Sequence, residues 1–311
     1  MRGSTSWSMD LPTSQIASTY KGKDVEEILD RLFYRPAGYL VARLSRSLTV
    51  TPTTITLLSI VLGVIAGRLF YYPDTGLTVL GMVLLVTAEA FDSADGQLAR
   101  MTGRGSKLGR ILDGMATNII FLSIYGHLCA RIIQSGGPLW IVAVAFVSAI
   151  SHSIQCAASD YFRNAYLWYV DTEHRGELDQ SAGVRVSYRA LSWRTNPVKK
   201  ALLRIYLNYT SLQELLTATF RRLFVATRRR FGATLPDWLR ADYARQNKPL
   251  LKYYNLITSN TRMIALFVAL LVKAPVAYFL FELLVLNGVL LYVTLRQNRV
   301  NNLLLEEIRS K

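Results

Sequence analysis

Residues 91–118 read FDSADGQLARMTGRGSKLGRILDGMATN. Three acids, Asp92, Asp95 and Asp113, stand between two apolar runs. On a helix Asp92 and Asp95 share a face, because side chains three and four apart are neighbours. Gly96 and Ala99 extend that face without bulk, and Arg100 follows two turns beyond Asp92. On the next helix Gly109, Asp113 and Thr117 form one stripe at spacing four. The connection MTGRGSK is short, so the two helices are antiparallel neighbours and their stripes can face each other. Three carboxylates then converge at membrane depth. Unpaired, they would repel each other and be costly there. A divalent cation removes the conflict, and hard oxygen ligands suit Mg2+ or Mn2+. The plainer alternative is acids at frayed helix ends facing water. Matched stripes beside two glycines speak against it.

The rest of the chain places this segment in a membrane. Of 311 residues, 51% are hydrophobic, and they gather in long runs. A run of about 20 residues crosses ~30 Å of hydrocarbon. Six such runs stand at roughly 55–73, 76–100, 108–132, 137–159, 255–273 and 275–295. The fold class is therefore an all-α membrane protein with six transmembrane helices, and the long apolar runs speak against a soluble domain.

Formal net charge is +15. Arginines and lysines precede the first run, fill the connection between the second and third, populate the stretch after the fourth and follow the sixth. The connections YYPDTG and QSGGP have none. The positive-inside bias then puts both termini and the acidic motif in the cytoplasm, of a bacterial inner membrane or of an endoplasmic reticulum. A basic face can also bind nucleic acid, but no nucleic-acid motif accompanies it, and anionic membrane lipids account for it.

Four segments follow. Residues 1–23 lack an apolar h-region and read as a disordered tail. Residues 24–159 hold spans one to four, preceded by an amphipathic stretch over 24–46 with Ile28, Leu32, Phe33, Leu40 and Val41 on one face. That stretch reads as an N-terminal interfacial helix broken near Pro36, or as a solvated cytosolic helix. Residues 160–254 read as a basic, helical cytosolic insertion of two or three surface helices. Residues 255–311 hold spans five and six and a tail. Cys129 and Cys156 fall inside apolar runs and read as small buried residues.

The run Asp92-x-x-Asp95-Gly96-x-x-Ala99-Arg100-x8-Gly109-x-x-x-Asp113 resembles the signature of the CDP-alcohol phosphotransferase family, D-x-x-D-G-x-x-A-R-x8-G-x-x-x-D-x-x-x-D. Every fixed position matches except the last, where Thr117 stands. The upstream TPTTIT, Thr51 to Thr56, is similar to the family's T-P-N-x-[IV]-T, with Thr53 in place of Asn. The resemblance implies transfer of a phospho-substituent from a CDP-linked donor, CDP-diacylglycerol foremost, to an alcohol or polyol phosphate, with release of CMP. It implies that Asp92, Asp95 and Asp113 bind the metal. It further implies that Thr53, Thr56, Gly96, Ala99, Arg100 and Gly109 line the nucleotide, and that the protein is a homodimer. The family's fourth acid, the proposed base for the acceptor hydroxyl, has no counterpart at Thr117.

A threonine hydroxyl cannot accept that proton near neutral pH. Glu89, one turn before Asp92 on the same face, is a substitute base, or else it pairs with a nearby polar group. His152 is a second substitute. A third outcome is a degenerate member that binds a CDP-donor or lipid without efficient turnover. On the acceptor side, Arg163, Arg262, Arg296 and Arg299 are candidates for a phosphate, since the guanidinium fork binds it bidentately. Asp160, Glu177 and Asp179 could orient polyol hydroxyls. A channel or transporter would spread polar residues along several spans, whereas here they cluster at one depth.

Overall fold

The computed structural model describes residues 22, 24–105, 107–171, 178, 181–232 and 234–310. The expected tail over 1–23 lies outside the described residues apart from Gly22, as do Glu177 and Asp179. The described residues form helices with no sheet. A π-helical turn, Asp30–Tyr34, leads into α1 (Arg35–Ser47). Then follow α2 (Pro52–Leu69), α3 (Thr75–Thr102), α4 (Lys107–Gln134) and α5 (Ile141–Val170). Four helices come next: α6 (Ser181–Arg189), α7 (Pro197–Leu216), α8 (Ala218–Phe231) and α9 (Asp237–Leu256). The chain ends with α10 (Ser259–Leu271), α11 (Pro275–Leu280), a second π turn (Phe281–Leu286) and α12 (Asn287–Ser310). Six segments are long and apolar enough to cross a membrane, and they match the six expected runs.

Local chemistry sets the ends. The Thr51 hydroxyl accepts from the Thr54 amide at 3.2 Å, and Pro52 follows where its missing N–H costs nothing. This starts α2 earlier than hydropathy alone suggested. Asp74 caps α3 in the same way, accepting from the Leu77 amide at 2.8 Å. Gly103, at φ 64, ends α3 in the left-handed conformation that a residue without Cβ adopts freely. The chain can then reverse into α4. Helix α5 runs on to Val170, well past residue 159, because neither Gly nor Pro interrupts it. Pro36 does not break the N-terminal stretch. The π turn immediately before it carries the chain on into α1 with Pro36 in the first helical turn, where no amide hydrogen is required.

Two large cores organise the packing of the described residues. Within the membrane, Ala66 of α2 and Phe70 just past its end, Leu85 of α3, Ile120, Phe121, Ile124 and Leu128 of α4, Ala145 of α5 and Leu266 of α10 form one core. A second core joins the extended end of α5 (Tyr161, Phe162, Tyr166, Tyr169) to Phe220 and Phe224 of α8, Tyr243 and Tyr254 of α9 and Leu304 of α12. Among the described residues, 160–254 thus supply four helices where two or three were expected, and part of that stretch builds core. Helix α1 lies against α2 and α3 through Ala42, Ile55, Ala94 and Leu98. Leu40 and Leu44 of α1, with Ile28 and Leu32 before it and Leu48 after it, stay uncovered, an apolar surface suited to lipid.

Close approach of α2 to α4 depends on glycine. A Cβ at Gly67 would lie 2.7 Å from Ser123 Oγ and 3.0 Å from the Ile124 amide nitrogen. Small residues bring membrane helices together this way, since lipid tails give them no hydrophobic drive to associate. Gly67→Leu is expected to destabilise the bundle by about 1–3 kcal/mol or more, the cost of overpacking. A lowered thermal unfolding midpoint in detergent checks it. An unchanged midpoint would mean that α2 can move away without cost.

Candidate active site

The site is built where α2, α3 and α4 meet. Asp92 and Asp95 lie one turn apart on α3, and Asp113 stands on α4. One carboxylate oxygen from each lies within 4.8 Å of the others. Two oxygens on opposite sides of one Mg2+ would be about 4.2 Å apart. The three acids therefore form an all-oxygen donor set, slightly open, of the kind that Mg2+ or Mn2+ takes. Asp95 is 4% exposed, and the Thr56 hydroxyl donates to its Oδ2. Thr56 is held there by the capped start of α2, so the TPTTIT segment orients one acid of the motif. The small Ala94, Gly96 and Ala99 keep the surrounding surface low.

Arg100 folds back along its own helix. Its guanidinium nitrogens lie 3.6 and 3.7 Å from where a Gly96 Cβ would stand. The charges of Asp95, Asp113, Glu26 and Arg35 all act upon it. The guanidinium is thus within electrostatic reach of the acids while the residue as a whole stays exposed. Thr53 and Gly109 are half-buried at the starts of α2 and α4. Thr117, one turn past Asp113, is half-buried too, and among the described residues no fourth acid joins the three-carboxylate group.

Glu89 accepts from the Ser259 hydroxyl, at the first residue of α10. It also feels the charges of Asp30, Glu27 and Asp113. It therefore lies between the motif and a second group of acids contributed by the segment leading into α1. His152 is a packing residue. It is 1% exposed, stacks on Phe121 with centroids 4.6 Å apart and contacts the Tyr125 hydroxyl at 3.3 Å.

The four arginines considered for an acceptor phosphate do not converge. Arg262 is 0% exposed, and its guanidinium is committed to Glu282 at 3.2 and 3.3 Å, to the Ile257 carbonyl at 2.7 Å and to Gln155. It holds the bundle together and is not open to a soluble phosphate. Arg296 borders a surface depression with Arg245 and Lys252, on the side of α9 and α12. Arg299 is exposed on α12. Arg163 alone reaches the second acid group, with Nη2 donating to the Val25 carbonyl at 2.7 Å and Nη1 3.9 Å from Glu27. Asp160 accepts from the Tyr209 hydroxyl at 2.9 Å.

Sequence reading missed the acids before α1. Glu26 makes a bidentate pair with Arg35, at 3.0 and 2.6 Å. Glu27 is surrounded by protein, and its carboxyl is pushed above the usual carboxylate range by burial first and by Asp30 second. The signal was the spacing of Glu26, Glu27 and Asp30, which places acids on the face opposite Ile28 and Leu32.

Comparison with known proteins bears on the same segment. The chain is similar to the phosphatidylinositol phosphate synthase of Corynebacterium glutamicum, 32% identical over 37% of this chain and 52% of that one. It is 28% identical to the phosphatidylinositol phosphate synthase of Streptomyces avermitilis, over 58% of this chain and 64% of that one. It is 25% identical to the bifunctional IPC transferase and DIPP synthase of Aquifex aeolicus, over 54% of this chain and 38% of that one. The chain thus spans between about a third and two thirds of the length of these curated relatives. Residues 49–165, which contain the TPTTIT segment and all three acids, match the family model described as CDP-alcohol phosphatidyltransferase, so the kinship drawn from the motif holds over that segment.

Proposed function

We propose that this protein is an integral membrane phosphotransferase of phospholipid synthesis. It takes a CDP-linked donor, CDP-diacylglycerol in our reading, and an alcohol acceptor, a polyol phosphate by analogy with the names of its relatives. The acceptor oxygen bonds to the phosphorus that carries the lipid. The phosphoanhydride bond to the cytidine side breaks, and CMP leaves with the bridging oxygen. The acceptor's hydroxyl proton passes to a protein base. The observation that carries this reading is the meeting of Asp92, Asp95 and Asp113 across two helices.

These three residues would hold the divalent ion, which neutralises charge on the pyrophosphate and the leaving CMP. Arg100, close to the same acids, is placed to meet a diphosphate. Thr56 holds Asp95 in position. The excess of arginine beside one set of connections, against the single Lys273 in the opposite set, supports a cytoplasmic active site with cytoplasmic termini.

In this reading Glu89 takes the proton that Thr117 cannot. It is one turn from Asp92 and near enough to Asp113 to feel its charge. Glu89→Gln is expected to lower CMP release about 10²–10⁴-fold, the usual worth of a general base. The direct test supplies CDP-diacylglycerol, a polyol phosphate and Mg2+ or Mn2+ and measures CMP. Full activity in Glu89→Gln would remove Glu89 from the chemistry. Thr117 also favours a second reading, a protein that binds the CDP-donor without transfer. Donor binding with no CMP from any acceptor would establish that one.

A further inference from the structure

A second polar cluster adjoins the acid motif. Glu27 and Asp30 come from the segment leading into α1, Glu89 from α3 and Asn260 from the first turn of α10. The Asn260 amide nitrogen donates to Glu27 at 2.7 Å and to Asp30 at 2.8 Å. Thr258 donates to Glu27 at 2.5 Å, and Ser259 to Glu89. The Arg163 guanidinium lies 3.9 Å from Glu27, at the edge of the cluster.

One observation points to a ligand here. Asn260 is 5% exposed, yet its carbonyl oxygen has no hydrogen-bond partner among the described residues. Its amide nitrogen lies between Glu27 and Asp30, so the orphaned acceptor belongs to the same cluster. A buried carbonyl left unpaired is unfavourable, and native structures rarely leave one so. Acceptors contributed by three separate segments suit a group that carries several donors. Vicinal hydroxyls are such a group: each donates a hydrogen bond to a carboxylate or amide oxygen without adding negative charge.

We propose that Glu27, Asp30, Glu89 and Asn260 form the subsite that receives the hydroxyl-bearing face of a polyol acceptor. The proposal rests on the transferase reading above. Glu89 then joins the two halves of the site, one turn from Asp92 on one side and bonded on the other to Ser259, whose neighbours Thr258 and Asn260 hold Glu27 and Asp30. A phosphate on the acceptor is turned away from the acids, with the Arg163 guanidinium at their edge.

The test is kinetic. Glu27→Gln and Asp30→Asn are each expected to raise the KM for inositol phosphate about 10-fold or more, the worth of one hydrogen bond to a charged group. kcat and the affinity for CDP-diacylglycerol with Mg2+ stay unchanged. An unchanged KM overturns the proposal. So does a joint fall of thermal midpoint, donor affinity and acceptor affinity, which marks acids that only anchor the segment. Should the variants fail to fold, the wild-type protein is treated with a carbodiimide and its carboxyl labelling read by mass spectrometry. Inositol phosphate should slow labelling of Glu27 and Asp30, and CDP-diacylglycerol should not. Protection by ethanolamine alone would assign the cluster to an ammonium and overturn the proposal, as would no protection at all. A wild-type protein that releases no CMP with any acceptor defeats the transferase reading, while the labelling result still decides this one.

Discussion

Asp113→Asn will lower CMP release on the order of 10³-fold or more, while the protein still folds. The size follows from what the carboxylate does. Asp113 is the sole member of the three that comes from α4, and its oxygen lies within 4.8 Å of those of Asp92 and Asp95. Replacing it with an amide keeps the shape and removes one of three negative charges. A metal held by such a set contributes several kcal/mol to a phosphoryl-transfer barrier, and each 1.36 kcal/mol is tenfold. Chelation with EDTA should abolish activity in the wild-type protein, and Mg2+ or Mn2+ should restore it. Because Asp113 is half-buried, and because the mutation relieves repulsion among acids, the thermal midpoint without metal should hold or rise. Metal-induced stabilisation should shrink at the same time. Activity within tenfold of wild type, with the same metal dependence, would separate the three carboxylates from the chemistry.

The acid motif was legible because its information is local. Helical spacing of three and four put Asp92 with Asp95 and aligned Asp113, and a short connection opening at Gly103 brought the two stripes together. The six spans were legible for the same reason, since hydrocarbon thickness fixes a length that apolar runs reveal. What depended on distant partners was not. The sequence shows Arg262 as a cation within an apolar run, and a phosphate role looked reasonable. Its partner Glu282 lies twenty residues away on another helix, and no periodicity relates the two. Glu27 and Asp30 looked like the polar face of an interfacial helix. Only the docking of that segment against α3 and α10 turns them inward, where they meet Asn260. The stretch 160–254 read as an insertion because its helices are basic. Its aromatic residues, among them Tyr243 stacked on Tyr169 at 4.0 Å, bury themselves against the extension of α5 past the expected membrane boundary.

The largest effect on stability is expected at the Arg262–Glu282 pair. Both side chains are fully buried, and the guanidinium Nε lies 3.2 and 3.3 Å from the two carboxylate oxygens. Removing one partner leaves the other charge stranded in the bundle, which typically costs about 3–5 kcal/mol. Arg262→Met should therefore lower the thermal midpoint sharply, and Glu282→Leu should do the same. The double variant Arg262→Met/Glu282→Leu should recover most of the loss, because a pair of apolar side chains needs no compensating charge. Recovery should stop short of wild type by about 1–2 kcal/mol, since Gln155 and the Ile257 carbonyl lose the donors that Arg262 gave them. That remainder has a functional side. The Ile257 carbonyl closes α9 directly before Thr258, Ser259 and Asn260, the three residues that hold Glu27, Asp30 and Glu89. The double variant should thus fold well and still show a raised acceptor KM, with metal dependence intact. If the double variant is as unstable as the sum of the single ones, the two charges do not act as a pair, and the fixed placement of that turn needs another cause.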